Sequence, residues 1–344
     1  MKAARLHAYR QPLVVERVAT PRPGPGQVLV RVDGSGFCHS DVHIIDGELQ
    51  ILPRFPLTLG HESAGTVERV GEGVLSTRPG DRVLVYGGWG CGLCDACVSG
   101  DEQLCDKPEW VGLSQWDGGY AEYLLVPRER YLVKLSVLEP RVAAPLADAA
   151  LTPYRAVKRA MPYLQPDHAV LLIGLGGLGQ YGLELLRLLT GCELIVIDAS
   201  SEKLELARKL GADHVLLAKA PELEKRVLEI THGSGVVASF DFVGSEATLE
   251  LAVRSTRARG KVTQVGLAGG TARLHVLENS RFEVAFEATL WGNLKELREV
   301  VALAERGRLR MTHVEFARLE DIQDVYARVK SGRVAGRVVL TPAA

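Results

Sequence analysis

A junction made largely of glycine constrains this chain more than any other feature. Gly174-Leu175-Gly176-Gly177-Leu178-Gly179 follows the apolar run Ala169 to Ile173 and opens an amphipathic stretch from Leu178 to Leu189. Glycines at these spacings permit a tight turn, close approach of backbone to a pyrophosphate and close helix-to-strand packing, while the helix start offers unpaired N–H groups and a favourable dipole. The pattern alone is weak; it gains weight from Asp198, 24 positions after Gly174 at the end of the next apolar run, Leu194 to Ile197. A carboxylate there accepts hydrogen bonds from ribose hydroxyls and repels a 2′-phosphate, so Gly174, Gly176, Gly177, Leu178, Gly179 and Asp198 predict a dinucleotide site that takes NAD over NADP. The alternative reading of Asp198 is a surface strand cap. Lys203, one turn into the following helix, either reaches the same ribose or is a solvated lysine.

Around this loop, short apolar strands alternate with helical patterns: Glu202 to Leu210 reads as a helix, and Ala238 to Phe242 and Lys261 to Val265 read as strands. Such alternation implies right-handed crossovers and a doubly wound parallel sheet, an α/β Rossmann-type domain assigned to residues 151–290. The preceding sequence differs in texture. Runs such as Gln27 to Val32, Gly65 to Val70 and Asp81 to Val85 alternate β-branched residues with turn signals, predicting a β-rich lobe over 1–150. Beyond Leu290 a helical stretch, Leu294 to Arg306, leads to a β-like tail, Arg333 to Leu340, so 291–344 is assigned to the first lobe. A chain of 344 residues also exceeds what one core usually organises.

Four of the six cysteines, Cys91, Cys94, Cys97 and Cys105, fall within a lobe of about residues 86–107. Four thiolates suit tetrahedral zinc with no position left open, a structural site. Paired disulfides conflict with a reducing compartment, and a redox Cys-x-x-Cys pair does not need four members. A nucleic-acid-binding zinc ribbon is disfavoured because Lys107 is the only cation between Tyr86 and Lys107.

The 41 basic and 42 acidic side chains leave a net charge of -1, giving no electrostatic footprint for nucleic acid or anionic membrane. The N-terminus lacks the apolar segment of a secretory signal, and no apolar run approaches the roughly 18 residues of a membrane span. The expectation is a cytoplasmic protein with small-molecule partners, no nucleic acid and no membrane.

Gly36-Phe37-Cys38-His39-Ser40-Asp41-Val42-His43 and Gly60-His61-Glu62 supply a thiol and an imidazole on separate segments. Alone, these would read as a buried cysteine and a core histidine. Together with the four-cysteine lobe, the glycine loop with its aspartate, and the terminal Gly336-Arg337-Val338-Val339-Leu340, they make the chain resemble, over essentially its whole length, the medium-chain zinc-dependent alcohol dehydrogenases, especially the bacterial secondary-alcohol and short-chain branch. The resemblance implies a GroES-like catalytic domain beside the Rossmann domain, two zinc ions per chain (one catalytic, one structural), NAD, and a homotetramer.

It further implies Cys38 and His61 as catalytic zinc ligands, with Glu62 nearby as a supporting carboxylate or alternative ligand. Many members use a second cysteine as third ligand; Pro145 to Ala150 stands at that place, and Asp148 is assigned instead, as in the aspartate-containing branch. Adjacent residues on a strand point to opposite faces, which argues against Glu62 as a permanent ligand beside His61. By the same resemblance Ser40 and His43 form the proton relay, Thr152 lies near the nicotinamide and Arg337 contacts the pyrophosphate. The weaker alternative readings are Ser40 as a helix N-cap, His43 as a surface histidine and Arg337 as an exposed strand arginine. Trp291 falls at a bulky pocket wall of the family or is simple core. The implied activity is reversible NAD-linked oxidation of alcohols, secondary or medium-chain, to ketones or aldehydes. The alternatives are a polyol or sugar dehydrogenase, for which a glutamate third ligand and a more polar pocket are expected, and a non-catalytic zinc- and dinucleotide-binding sensor.

Overall fold

The β-branched runs near the N-terminus become strands because turns let the chain reverse between them, as at Gly71 to Gly73 and Arg78 to Asp81, where the Asp81 carboxylate accepts the Arg78 N–H at 2.9 Å. The computed structural model describes residues 1–273 and 282–342. In chain order the first unit contains β1 (Lys2–Leu6), β2 (Val14–Arg17), β3 (Val28–Gly36), α1 (His39–Ile45), β4 (Leu57–Thr58), β5 (Glu62–Val70), β6 (Arg82–Val85), α2 (Asp95–Val98), β7 (Tyr123–Val126), β8 (Leu132–Lys134) and α3 (Pro140–Ala143). After α4 (Leu151–Ala160) come β9 (Ala169–Ile173), α5 (Gly177–Leu189), β10 (Glu193–Asp198), α6 (Ser201–Lys209), β11 (His214–Leu217), α7 (Leu223–Ile230), β12 (Val236–Asp241), α8 (Glu246–Ser255), β13 (Thr256–Gln264) and β14 (Ala285–Ala288). The chain ends with α9 (Leu294–Glu305), β15 (Val314–Arg318), α10 (Ile322–Lys330) and β16 (Arg337–Thr341). It divides into two compact units: Met1–Leu151 with the chain from Trp291 onward, and Thr152–Leu290.

In the second unit the six described strands are all parallel, in the order β11-β10-β9-β12-β13-β14. That order reverses direction between β9 and β12, the arrangement whose switch point receives dinucleotides. Its core includes Leu171, Ile173, Ile195, Ile197, Val227 and Val262, all buried. Two helix starts, one in each unit, are locally written: Ser200 accepts the Lys203 N–H at 3.3 Å in the second unit, and Asn293 and Glu296 exchange a reciprocal pair of 2.9 Å bonds at the start of α9 in the first.

In the first unit β3 is the organising strand. It pairs antiparallel with β5, β7 and β16, and the sheet runs β15-β16-β3-β5-β6-β8. The register sets Gly36 opposite Glu62 on one side and opposite Val339 on the other. Consequently Cys38, just past the end of β3, His61, just before β5, and Arg337, the first residue of β16, arrive at one end of one sheet. The single turn Ala144–Ala147, packed against β3 and β5, delivers Asp148 to the same place. No described helix is long and apolar enough to cross a membrane.

Candidate functional site

Cys38, His61, Glu62 and Asp148 each offer a donor atom, and these atoms all lie within 4.8 Å of one another. None of the four residues is more than 8% exposed. Asp148 Oδ2 stands 3.4 Å from Cys38 Sγ and 3.6 Å from His61 Nε2. Tetrahedral zinc with bonds of about 2.0–2.3 Å requires donors about 3.3–3.8 Å apart, and both of these separations fall in that range.

The surroundings fit it too. Asp41 Oδ2 accepts from the Cys38 N–H at 3.1 Å and from the Tyr120 hydroxyl at 2.7 Å. Its other oxygen faces His61 Nδ1 at 3.6 Å, and neither of those two buried atoms has a closer partner among the described residues. A carboxylate behind the imidazole keeps the proton on Nδ1 and leaves Nε2 directed at Asp148 and Cys38, the usual arrangement behind a metal-bound histidine. Burial works against a charged His61, but the carboxylates of Asp41 and Asp148 and the Cys38 sulfur hold it well above the ordinary imidazole range. Burial likewise opposes ionisation of Asp148, and His61 and Arg337 overcome it, holding the carboxyl below its usual range.

Glu62 and Arg337 form a two-pronged buried ion pair, with Arg337 Nε donating to Glu62 Oε2 at 3.0 Å and Nη2 to Oε1. Arg337 Nη2 also lies 3.5 Å from Asp148 Oδ2. The arginine is therefore neither exposed nor unpaired; its guanidinium belongs to the donor cluster. Gly36 makes room for this pair, since a Cβ there would overlap the Glu62 carboxylate. Strand alternation does not separate His61 from Glu62, because His61 lies outside β5 and Glu62 is its first residue; both side chains reach the cluster. What distinguishes the two carboxylates is that Glu62 is held by Arg337 whereas Asp148 faces Cys38 and His61 directly.

Ser40 sits in the first turn of α1 with Oγ 3.5 Å from Cys38 Sγ. The N-cap of that helix is Cys38, not Ser40, and the capping carboxylate is Asp41. His43, in the last turn, bonds Glu48 at 2.6 Å through Nδ1.

The second cluster is built differently. Cys91 and Cys97 sulfurs are 3.9 Å apart and those of Cys94 and Cys105 are 3.8 Å apart, close to the ~3.8 Å edge of a zinc–thiolate tetrahedron with 2.3 Å bonds. Backbone N–H groups of Leu93, Cys91 and Lys107 point at these sulfurs at 3.3–3.4 Å. Such donors favour thiolate: the N–H groups of Leu93 and Cys94 bring the Cys91 thiol down to about 6, while burial pushes Cys97 up to about 12. Arg130 clasps the lobe by donating to both oxygens of Glu102, at 2.8 and 3.1 Å. The Tyr131 hydroxyl lies 2.9 Å from Glu102 and 3.2 Å from the Gly90 carbonyl.

In the other unit, Gly174 takes φ +90° and a Cβ on Gly179 would collide with the Gly174 carbonyl, so helix and turn meet only with glycine there. Nothing lies within 4 Å of a Cβ placed on Gly176, the N-cap of α5, leaving the loop open to a ligand. Asp198 ends β10, and its carboxylate accepts the Leu175 N–H at 2.6 Å and the Ser200 N–H at 2.8 Å. It thus braces the glycine loop, a role that spacing did not reveal. Gly177 and Leu178 open α5, Lys203 lies in the first turn of α6, and Thr152 is buried in the first turn of α4. Sequence reasoning also missed Asp41 and Tyr120 behind the mixed cluster and Glu102, Arg130 and Tyr131 beneath the lobe. Asp41 carried a signal in its position three residues after Cys38; the others are joined only by tertiary packing.

Residues 24–137 match the alcohol dehydrogenase GroES-like domain family, and residues 177–306 match the zinc-binding dehydrogenase family. The chain is 39% identical to an NAD-dependent alcohol dehydrogenase of Sulfolobus acidocaldarius, covering 99% of each chain. It is 34% identical to a D-arabinose 1-dehydrogenase (NADP(+)) of Saccharolobus solfataricus, covering 99% of this chain and 97% of that one. The crystal structure of the alcohol dehydrogenase from Aeropyrum pernix superposes with a TM-score of 0.93 at 41% identity, covering 99% of this chain and 100% of that one.

Proposed function

The chain belongs to the zinc-dependent medium-chain alcohol dehydrogenase family, and on that premise we propose that it interconverts secondary or medium-chain alcohols with their ketones or aldehydes, using NAD. The observation that carries this reading is the convergence of Cys38, His61 and Asp148 on one buried point. Zinc held by those three residues would supply Lewis acidity toward an alcohol oxygen, and NAD on the Gly174–Gly179 loop would accept hydride. Asp41 orients the His61 ring, and Arg337 neutralises Glu62, so that Asp148 rather than Glu62 serves as the oxygen ligand. Ser40 Oγ would take the alcohol proton while releasing its own hydroxyl proton toward His43, which is paired with Glu48. The four cysteines hold the structural zinc.

Two aromatic rings favour apolar alcohols over polyols. Trp291 stands 5.6 Å from the His61 ring and 6.4 Å from Trp110, so an indole surface flanks the metal donors. The D-arabinose dehydrogenase among the relatives supports a sugar dehydrogenase as second reading. Initial rates on a panel of secondary alcohols, primary alcohols and D-arabinose, each with NAD and NADP, separate the two. We expect the highest kcat/KM with an apolar secondary alcohol and NAD; turnover confined to the sugar would overturn this. For Asp198→Gly we expect a roughly 10-fold or greater rise in the NAD KM, because the ribose acceptor and the brace on Leu175 go together.

We also assign the protein to the cytoplasm, supported by six cysteines that are all free, and to a homotetramer, supported by the edge strand β14 with Phe286 44% exposed. Light scattering that returns a monomer mass would remove the second assignment.

A further inference from the structure

Trp291 touches His61 and the residue before Asp148, yet its own chemistry offers neither a ligand nor a proton. Its backbone has φ +52°, a left-handed conformation that bulky residues seldom adopt and that persists only where the surroundings over-determine it. Three contacts, all within the first unit, hold it there. The indole N–H donates to the Ala147 carbonyl at 2.8 Å, one residue before Asp148. The ring stands edge-to-face with the His61 imidazole, centroids 5.6 Å apart and planes at 81°. Trp110 backs it at 6.4 Å and 66°. Gly87 provides the space, because a Cβ there would fall inside the indole.

Resting on the reading that Cys38, His61 and Asp148 hold zinc, we propose that Trp291 is a positioning residue for that centre, fixing through one side chain both the plane of the His61 ring and the turn that carries Asp148. An imidazole turning about its Cβ–Cγ bond would sweep Nε2 away from the ion, and Asp41 restrains only its Nδ1 side, at 3.6 Å. Asp148, at φ -141° and ψ -58°, lies outside the regular helical and extended conformations, so its direction depends on what pins the preceding residue. The indole meets both needs. Phenylalanine would keep the ring wall and lose the bond to Ala147, and leucine would lose both.

The test loads wild type, Trp291→Phe and Trp291→Leu with cobalt(II) at the mixed centre while zinc stays at the four-cysteine cluster. It then records the ligand-field absorption and the rate of release of each metal to a chelator. We expect Trp291→Leu to shift the cobalt bands and release that metal roughly 10-fold faster, Trp291→Phe to fall between, and the four-cysteine zinc to leave at the wild-type rate in all three. Cys38→Ser, measured alongside, must lose the mixed-centre metal; if it binds cobalt like wild type, the ligand reading itself fails. With Cys38→Ser empty at that centre, wild-type bands and release in Trp291→Leu would overturn the positioning role alone. Equal acceleration at both metal sites would overturn it too, because it would mean general loosening.

Discussion

Cys91, Cys94, Cys97 and Cys105 lie within fifteen residues of one another, whereas Cys38, His61 and Asp148 come from segments spread over 111 residues and rely on Arg337 from a fourth. The thiol cluster is local: its sulfurs accept from N–H groups of its own loop, and Cys91 and Cys94 remain half-buried. The mixed cluster exists only where the register of β3 with β5 and β16 is correct, and it is wholly buried. Burial brings a cost that the thiol cluster bears only at Cys97 and Cys105. Three carboxylates, Asp41, Glu62 and Asp148, sit without bulk water and need His61, Arg337 and the Tyr120 hydroxyl as partners. A closed set of four thiolates stabilises a loop; three protein ligands in a braced, buried pocket leave a position for chemistry. On the proposed ligand assignment, one zinc serves structure and the other catalysis.

The sharpest break of this comparison comes from His61→Ala. It should take turnover below detection and remove one zinc per chain while the four-cysteine zinc and the circular dichroism stay unchanged; retained turnover would dissolve the distinction. Asp41→Asn should have a smaller effect, roughly 10- to 100-fold in activity or catalytic metal affinity, because it removes the carboxylate behind His61 and not a ligand. Metal titration by calorimetry checks it, and wild-type affinity would show that the 3.6 Å approach does not matter.

Cys94→Ser should do the reverse of His61→Ala. Losing about 3 kcal/mol from the lobe moves Tm by roughly 6–12 °C in a unit of this size, with the mixed centre still loaded. Calorimetry that finds an unchanged Tm would mean the lobe is not held by metal. The smallest effect concerns Glu129, which accepts from the Ser76 hydroxyl and from the N–H groups of Leu75 and Ser76, immediately before the clasp residues Arg130 and Tyr131. These donors, led by Ser76, bring its carboxyl down to about 2 from 4.5. A depressed folded-state value contributes stability that is complete above about pH 4.5 and lost as pH falls toward 2. Solvent screening limits it to about 1 kcal/mol or less. The Tm gap between wild type and Glu129→Gln should therefore be largest at neutral pH and close in acid; a gap that widens in acid would reverse the sign.

Legibility followed the same divide. The four cysteines, and the glycine loop with Asp198, could be read directly because their spacing in sequence is their geometry, and the parallel sheet followed from alternation of strand and helix. Strand ends were less legible: the second half of the expected Arg333–Leu340 tail forms β16, and β11, β14 and β15, at four or five residues each, are too short to announce themselves. At the mixed cluster, Cys38, His61 and Asp148 could be named only by resemblance, since nothing local says that they meet. Glu62 beside Arg337, Trp291 against His61 and Glu102 under Arg130 join residues 275, 230 and 28 positions apart, and such contacts are fixed by sheet register and packing.

The most direct test is Asp148→Ala, analysed for zinc content and turnover in the same preparation. A catalytic centre of Cys38, His61 and Asp148 predicts one zinc per chain, held by the four cysteines, with no turnover and Tm close to wild type. Two zincs per chain with turnover preserved would contradict it and make Glu62, released from Arg337, the oxygen ligand.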